Sequence, residues 1–427
     1  MKIELKKLPR GQAELMIELT VEEYQPFLDQ AAKIISENVK IPGFRPGKAG
    51  FNIVKQKVGE GQIWQEAIEP AIQKTFLKAL EEKKLITVGQ PEIDIVKLAP
   101  GNPIIYKVKI NILPEVKLPD YSKIKISKKP IVLKEEKIKE TISNLQKMRA
   151  KEYLVDRKSQ KAHKVEIDFE TFLDKIPIDH GQQKSFPIMI GEGSFIPGFE
   201  DQIMGLSSGE EKKFSLEFPK NYHQKNLAGQ KADFKVKMMA VFELKLPEIN
   251  DDFAKSLGKF ETVKELENQI KDNLEKEASI KEEQRLEEEL IENIVSQSKF
   301  TEIPDFLVNN EGRRMIEELE YNISKEGLKF DDYLAHIKKT KEDLLLDFAP
   351  QAVKRVKSAL VLKEIEQREK IKVSDREVDQ EIENILSSYP GDNQAEQKLK
   401  TPSYRRYLKN IIASKKTIDF LKSKMVE

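Results

Sequence analysis

The chain has 427 residues, of which 39% are hydrophobic and 34% are charged, and its net charge is only +1. This length predicts two to four domains, and the near-neutral charge excludes long-range attraction to a polyanion, so that any basic site must be local. The absence of cysteine excludes disulfides, thiolate metal sites and thiol catalysis.

Four histidines (His163, His180, His223 and His336) are scattered along the chain and show no metal-ligand spacing. The first residues, "MKIELKKLPRGQ", contain no apolar stretch of a secretory signal, and no run approaches the roughly 18 apolar residues of a membrane span. We therefore expect a cytoplasmic protein without a membrane segment, and we expect no metal or cofactor.

Residues 1–113 predict an α+β domain. The stretch "QAELMIELT" alternates hydrophobic and polar residues, as a half-buried strand does, and "EIDIVKL" and "IIYKVKINIL" repeat this pattern. The stretch "TVEE" has the spacing of a capping box, which predicts a helix that either begins near Pro26 or bends there. Two further helices, separated at Gly59 and Gly61, are predicted before the last two strands.

A loop, "VKIPGFRPGKAGF" (Val39–Phe51), follows the first predicted helix. Its two Pro-Gly pairs exclude a helix and predict an exposed turn. Between them stand Phe44 and Arg45, with Lys40 and Lys48 on either side. A large aromatic residue at a loop tip is unfavourably solvated unless it packs or meets a partner. Phe44 therefore either folds back onto its own domain or marks a docking site.

The rest of the chain divides into three regions of different composition. The three prolines and the basic bias of "PEVKLPDYSKIKISKKP" predict an extended linker, which a connecting helix follows. Residues 151–246 predict a β-rich domain of short strands and Gly/Pro turns. Residues 247–427 predict an all-helical region, broken at Pro304, Gly327 and Pro350 and by a late loop, "SSYPGDNQAEQ".

The helical region combines narrow apolar stripes with surfaces dense in lysine and glutamate. The longest predicted helix, Glu261–Val295, is expected to be a solvated arm; a coiled-coil dimer is the alternative, although the heptads are not sustained. Several apolar residues are open to two interpretations, inter-helix core and a surface for unfolded chains. They are Ile303, Phe306, Leu307, Met315, Tyr333, Leu334, Ile337, Phe348, Tyr404, Tyr407 and Ile411.

Three stretches, "GFRPGKAG", "IPGFEDQIMGL" and "FPKNYHQKNLAGQKADFKV", together resemble the trigger factor family of bacterial ribosome-associated chaperones, and the resemblance covers the whole chain. It implies a multidomain α+β fold: an α+β ribosome-docking domain, an FKBP-like β-rich middle domain, and an all-helical C-terminal body with arms. The implied boundaries are 1–113 for the ribosome-binding domain, 114–150 for the linker and connecting helix, 151–246 for the FKBP-type prolyl isomerase domain, and 247–427 for the helical chaperone domain that cradles substrates.

The resemblance implies that the loop docks on the ribosome, where it touches ribosomal RNA and a tunnel-exit protein of the large subunit. The residues concerned are Gly43, Phe44, Arg45, Pro46, Gly47 and Lys48. Some family members carry a third basic residue where this chain has Pro46, which stiffens the tip but removes a charge. The resemblance further implies nascent and unfolded polypeptides as partners, a homodimer away from the ribosome, and no membrane.

Prolyl isomerisation needs neither a nucleophile nor a metal. The barrier of roughly 18–20 kcal/mol comes from amide resonance, so a dry pocket that binds the twisted amide more tightly than the planar one is sufficient. Matching the FKBP pattern, the resemblance implies that Phe195 and Ile196 contact the proline, that the Ile196 backbone N–H binds the substrate carbonyl, and that Phe199 forms the pocket floor. The implied pocket residues are Phe169, Asp179, Phe186, Phe195, Ile196, Phe199, Tyr222, His223 and Phe234.

Two departures from the FKBP pattern concern the pocket rim. Glu170-Thr171 replaces the usual Thr-Gly, and "DKIPIDHGQQ" is short of the expected glycine turn. The alternative interpretation of the aromatic residues is that they fill the core of a small β domain. His223 is not expected to act as a general base, because no nucleophile needs activation.

The sequence thus indicates a ribosome-associated chaperone that binds nascent chains at the exit tunnel and catalyses cis/trans isomerisation of X-Pro bonds. Two alternatives stay open at this point. One is a multidomain prolyl isomerase with no ribosome docking, and the other is a chaperone whose isomerase domain is weak or inactive and only binds peptide.

Overall fold

A computed structural model describes residues 1–193, 195–222, 224–225, 227–387 and 393–427, without the side chains of 179–180 and 393–395. The chain forms two compact units, residues 1–129 with 283–427, and residues 130–282.

The regular elements are numbered in chain order. The strands are β1 Lys2–Leu8, β2 Gln12–Leu19, β3 Thr87–Lys97, β4 Ile104–Ile112, β5 Val116–Lys117, β6 Lys151–Leu154, β7 His163–Leu173, β8 Ile176–Met189, β9 Glu211–Glu217, β10 Lys231–Lys245 and β11 Lys299–Phe300. The helices are α1 Val21–Asn38, α2 Phe51–Val58, α3 Glu60–Lys83, α4 Glu135–Met148, α5 Phe199–Ile203, α6 Asp251–Leu257, α7 Val263–Gln297, α8 Asp305–Lys325, α9 Phe330–Ile337, α10 Lys341–Arg368, α11 Asp375–Ser387, α12 Asn393–Leu399 and α13 Pro402–Met425. No helix of the described residues is long and apolar enough to cross a membrane.

The N-terminal sheet in the first unit is antiparallel and has the order β1-β2-β4-β3. One face carries the alternating residues predicted at Ala13, Leu15, Ile17 and Leu19, all of which are buried under α1 and α3. The predicted capping box at the start of α1 is confirmed, and Pro26 lies inside that helix rather than at its start. Helices α2 and α3 are separated at Gly59 alone, where the backbone has a φ of 91°.

Strand β1 was not predicted, because its sequence "KIELKKL" lacks sustained alternation and the strand lies exposed at one edge of the sheet. A turn joins β1 to β2 and approaches the start of α8 within the same unit. The Arg10 guanidinium lies 2.8 Å from the Asp305 carboxylate, and the Gly11 N–H donates to the Glu302 carboxylate at 3.1 Å. Gly11 has a φ of 66°, and a Cβ there would lie 2.7 Å from the Glu302 carbonyl oxygen.

The segment predicted as a linker has little regular structure, and its apolar side chains pack into the helical body. Strand β5 pairs with β11, and Tyr121 and Ile126 are buried in one cluster with residues of three helices. Those residues are Leu286, Leu290, Ile294, Val361, Ile365, Leu421 and Met425. The C-terminal end of α7, which belongs to the helix expected to be a solvated arm, therefore packs into this core.

Two predictions in the helical region are wrong. Pro350 does not break the chain but lies inside α10, because buried Leu344, Ala352 and Val356 hold both sides of the proline in one helix. This packing outweighs a penalty of about 3 kcal/mol for proline in a helix interior. The predicted late loop is helical from Asn393 onward, and residues 388–392 lie outside the described chain.

The second unit contains an antiparallel sheet with the order β6-β10-β7-β8, and β9 also pairs with β10. Its inner face packs on the short helix α5, whose Phe199 and Ile203 are fully buried. A separate cluster joins α4 to α6 and the first half of α7 through Ile142, Phe253 and Leu266. The multidomain α+β fold with a β-rich middle and a helical C-terminal region is as predicted.

Candidate functional sites

The loop between α1 and α2 is anchored at both ends. Ile41 and Ala49 are each 5% exposed and belong to the core of the N-terminal sheet. The Gly47 N–H donates to the Ser36 carbonyl at 3.1 Å, which ties the loop to the last turn of α1. Gly47 has a φ of 74°, and a Cβ at this position would lie 2.8 Å from the Glu37 side chain. Only glycine therefore allows this close approach without strain.

The tip of the loop consists of two consecutive turns. The Phe44 N–H donates to the Ile41 carbonyl at 3.2 Å, and the Lys48 N–H donates to the Arg45 carbonyl at 3.0 Å. Phe44 is 44% exposed and does not join the core cluster. Lys40, Arg45 and Lys48 are also exposed, and within the described residues none of them forms an ion pair. A large apolar ring and three uncompensated cations thus project together from a fixed base.

The β-rich domain contains a cavity of about 580 Å³ between the sheet, the segment before α5 and the loop after β9. Five of the nine predicted pocket residues line it. They are Phe169, Phe195, Ile196, Tyr222 and Phe234. Strand alternation brings Phe169 and Phe234 onto the inner face of the sheet, while Phe195 and Ile196 precede α5.

Two further predicted aromatic residues support the lining from behind. Phe199 is fully buried, and its ring centroid lies 4.0 Å from that of Phe195 and 5.4 Å from that of Phe234. Phe186 packs edge-on against Phe169 with ring centroids 5.6 Å apart. Both interpretations of the aromatic set therefore hold in part, because some members line the cavity and others fill the core beneath it.

The last two predicted residues receive no structural description. His223 and the side chain of Asp179 lie outside the described part of the protein. A different histidine, His163 in β7, is buried near the Arg157 guanidinium, and burial followed by this positive charge lowers the pKa of His163. His163 does not line the cavity.

The cavity also contains residues that the sequence did not indicate. They are Ile178, Gly181, Pro197, Phe218, Pro219, Gln224 and Leu227. The Phe218 ring lies 4.7 Å from the Tyr222 ring at a tilt of 54°. Its position beside Pro219, before a polar stretch, is the sequence feature that points to it. Nothing in the sequence distinguished Gln224.

The departure at Glu170-Thr171 has a simple geometric consequence. Thr171 points to the inner face and is buried at the cavity, whereas Glu170 points to the outer face opposite Lys235. The altered pair therefore places a hydroxyl, and no charge, at the rim of the cavity.

The cavity is chemically suited to a proline ring. Its described lining has no charged side chain, and its polar groups come from Thr171, Tyr222 and Gln224 together with the backbone. Within the described residues, the Ile196 backbone N–H has no acceptor, so it is available to a substrate carbonyl. A low-polarity site of this kind favours an amide that has lost conjugation over one that retains it, which is the only requirement for this reaction.

Three family models match successive regions of the chain. Residues 1–145 match the family described as "Bacterial trigger factor protein (TF)", residues 262–423 match "Bacterial trigger factor protein (TF) C-terminus", and residues 155–247 match "FKBP-type peptidyl-prolyl cis-trans isomerase".

Known relatives align with the chain over nearly its whole length. It is 33% identical to the trigger factor of Caldicellulosiruptor saccharolyticus, over 99% of this chain and 96% of the relative. It is 32% identical to the trigger factor of Geobacillus kaustophilus, over 99% and 98%. A solved structure described as "Promiscuous Substrate Recognition in Folding and Assembly Activities of the Trigger Factor Chaperone" is 20% identical, covers 99% of both chains and has a TM-score of 0.47.

The β-rich domain and its apolar cavity define an FKBP-type peptidyl-prolyl isomerase. Because the same chain carries the matching N-terminal and C-terminal regions, it belongs to the trigger factor family. The chain is accordingly a ribosome-associated chaperone that catalyses cis/trans isomerisation of X-Pro bonds. Neither alternative, an isomerase without ribosome docking or a chaperone with an inactive isomerase domain, is favoured.

Proposed function

We propose that the loop of Gly43, Phe44, Arg45, Pro46, Gly47 and Lys48 is the part of this chaperone that touches the ribosome. The observation that carries the proposal is the 44% exposure of Phe44 on a loop whose two ends are buried. Arginine and lysine pair with phosphate groups, and an aromatic ring stacks on an unpaired base or fills an apolar notch. Ribosomal RNA and a protein beside the tunnel exit of the large subunit are the proposed receivers.

The rigidity of the loop supports this role. Pro46 restricts the backbone between the two turns, and the bond from Gly47 to Ser36 holds the tip to α1. A tip that is already ordered loses less conformational entropy on binding. Pro46 also occupies a position where a third cation would add affinity, so we expect weaker docking than in relatives with a basic residue there.

Ribosome co-sedimentation of the variant Phe44→Ala/Arg45→Ala tests the proposal. We expect binding to be lost while the free energy of unfolding stays within about 1 kcal/mol of the parent, as for other exposed positions. Leu77→Ala/Lys78→Ala is a matched control, because it removes an exposed apolar residue and the cation that follows it from a helix surface elsewhere in the domain. Unchanged binding by the loop variant, or equal loss in the control, contradicts the proposal.

For the isomerase, we propose that Phe195 and Ile196 hold the proline ring and that the Ile196 N–H binds the carbonyl of the preceding residue. Phe169, Tyr222 and Phe234 complete the wall, and Phe199 and Phe186 fix its position from behind. The support for these roles is the shared cavity and the close ring packing. Asp179 and His223 are proposed members of the site on the family resemblance alone.

We also propose a division of labour along the chain. Residues 1–113 would dock, residues 114–150 would connect, residues 151–246 would isomerise, and residues 247–427 would hold nascent and unfolded polypeptides. We further propose that the protein acts in the cytoplasm and that it forms a homodimer away from the ribosome. Sedimentation velocity of the purified protein over a range of concentrations tests the dimer.

The exposure of the candidate apolar residues in the helical region separates those that could contact clients from those that belong to the core. Met315 is buried, and Tyr333, Leu334, Ile337 and Phe348 pack in one inter-helix cluster, so we assign these five to the core. Phe306, Tyr407 and Ile411 are between 37% and 46% exposed. These three are the proposed client contacts.

A further inference from the structure

The cavity of the β-rich domain contains a buried hydroxyl that the roles of the aromatic residues do not use. Thr171 is only 3% exposed, and it lies on the inner face of β7, two residues beyond Phe169. Within the described residues its hydroxyl makes no hydrogen bond. The hydroxyl is nevertheless not sealed in the interior, because the sealed side-chain atoms without a partner are the Tyr24 hydroxyl and the Trp64 indole nitrogen. The Thr171 oxygen therefore opens onto the cavity that this residue lines.

Thr171 differs in this respect from the other buried serine and threonine residues of the described chain. Each of these donates its hydroxyl to a backbone carbonyl, and they are Ser36, Thr75, Ser159 and Thr417. Buried polar groups are normally satisfied in this way. A ligand that fills the cavity removes solvent from the Thr171 hydroxyl, so it must supply a hydrogen bond in return or bind more weakly.

An irregularity in the sheet makes room for a ligand beside Thr171. Strands β7 and β8 lose their register at this point, because Glu170 pairs with Gln182 whereas Phe172 pairs with Pro177, and residues 178–181 stand against Thr171 alone. Two residues of this segment, Ile178 and Gly181, line the cavity, and Phe234 stands opposite Thr171 on the other side, in β10. Bulges of this kind aim a side chain and are frequent beside active sites.

The position of Thr171 along β7 indicates which group of the substrate it meets. Phe169 packs against Phe195, the residue proposed to hold the proline ring, with ring centroids 5.3 Å apart. Two strand residues further on, Thr171 lies about 7 Å away, a distance that an extended substrate spans in about two residues. The carbonyl before the proline is assigned to the Ile196 N–H, and the proline itself has no N–H. The next polar groups of the substrate belong to the peptide bond that follows the proline.

We propose that the Thr171 hydroxyl hydrogen-bonds the peptide group on the C-terminal side of the substrate proline and so determines specificity for a proline that a further residue follows. The inference rests on the proposed role of the cavity. A hydroxyl both donates and accepts, so it can serve either the carbonyl or the N–H of that group. This peptide group keeps its conjugation while the preceding bond rotates. The hydrogen bond is therefore equally strong before and during rotation, and it lowers KM without changing kcat.

Thr171→Val removes the hydroxyl and keeps the shape of the side chain, and valine is favoured in strands. We expect kcat/KM to fall on the order of tenfold, or about 1.4 kcal/mol, through a rise in KM. The melting temperature is expected to be equal to or above that of the parent, because the hydroxyl has no partner within the described residues. Thr171→Ser, which retains the hydroxyl, is the matched control and is expected to keep the KM of the parent.

A pair of substrates identifies the group that the hydroxyl meets. Two peptides contain the same X-Pro bond, and one of them has an ester in place of the amide that follows the proline. The ester has no N–H, and its carbonyl is a weaker acceptor. Cis/trans exchange is measured by NMR and corrected for the uncatalysed rate. We expect the parent to prefer the amide peptide on the order of tenfold and Thr171→Val to treat both peptides alike.

Three results would overturn the proposal: an unchanged KM in Thr171→Val, the same loss in Thr171→Ser, or an undiminished preference for the amide peptide in Thr171→Val. Phe195→Ala is measured beside these variants. Lost activity in Phe195→Ala with parental activity in Thr171→Val rejects the role of Thr171 and leaves the cavity as the isomerase site. Parental activity in both variants rejects the cavity as well.

Discussion

The role of the cavity can be tested by replacing Phe195 with alanine, which removes one wall of the site. Phe195 is half-buried, and its ring packs against Phe169 at 5.3 Å, Phe186 at 6.2 Å and Phe199 at 4.0 Å between centroids. The rings behind it stay in place, so the variant is expected to keep its core and lose a substrate contact.

The size of the effect follows from the apolar area that a proline ring buries. Its three methylene groups contribute about 0.8 kcal/mol each when fully buried, or about 2.4 kcal/mol together. If Phe195 covers about half of the ring, its loss removes about 1.2 kcal/mol of transition-state binding, which lowers kcat/KM by about eightfold. The cost in stability is expected to be about 2 kcal/mol, below the roughly 3–5 kcal/mol of a fully buried phenylalanine.

The assay is the catalysed refolding of a protein whose slow phase is limited by an X-Pro bond, measured together with the unfolding transition of each variant. Phe172→Ala is the matched control, since Phe172 is a half-buried phenylalanine of the same strand as Phe169 and does not line the cavity. The reasoning is refuted if both variants lose the same activity, or if Phe195→Ala retains the full rate.

Two further predictions concern the first unit. Tyr106→Phe removes the bond between the Tyr106 and Thr75 hydroxyls and should cost about 1 kcal/mol in urea unfolding. Burial raises the pKa of Tyr106 to about 12, whereas an unfolded tyrosine ionises near pH 10. The stability linked to Tyr106 is therefore present below about pH 10 and lost as the pH rises towards 12, so the parent should lose more stability than Tyr106→Phe over this interval. Gly11→Ala should destabilise the unit by about 1–3 kcal/mol more than Gly101→Ala, because both glycines have positive φ but only a Cβ at Gly11 meets Glu302; equal thermal shifts would contradict this contact.

Local sequence patterns were sufficient where the structure depends on near neighbours. The alternation from Ala13 to Leu19 correctly predicts strand β2, and the capping box correctly predicts the start of α1. Both features depend only on residues two to four positions apart in the chain. The same holds for the loop of Phe44, where proline fixes the backbone and glycine allows the positive φ of Gly43 and Gly47. Family motifs added Phe195 and Ile196, which periodicity alone would have assigned to the core.

The tertiary structure decided everything that depends on which distant segments meet. Pro350 stays inside a helix because partners from other parts of the chain bury the residues around it. Phe218 and Leu227 enter the cavity because the loop after β9 closes over the inner face of the sheet. Ile93 and Ile95 are exposed because β3 is the last strand, a position that the pattern of the strand does not encode. The spacing of apolar residues along a segment is a local property of the sequence. The burial of each residue depends instead on the topology of the whole sheet and on what covers it.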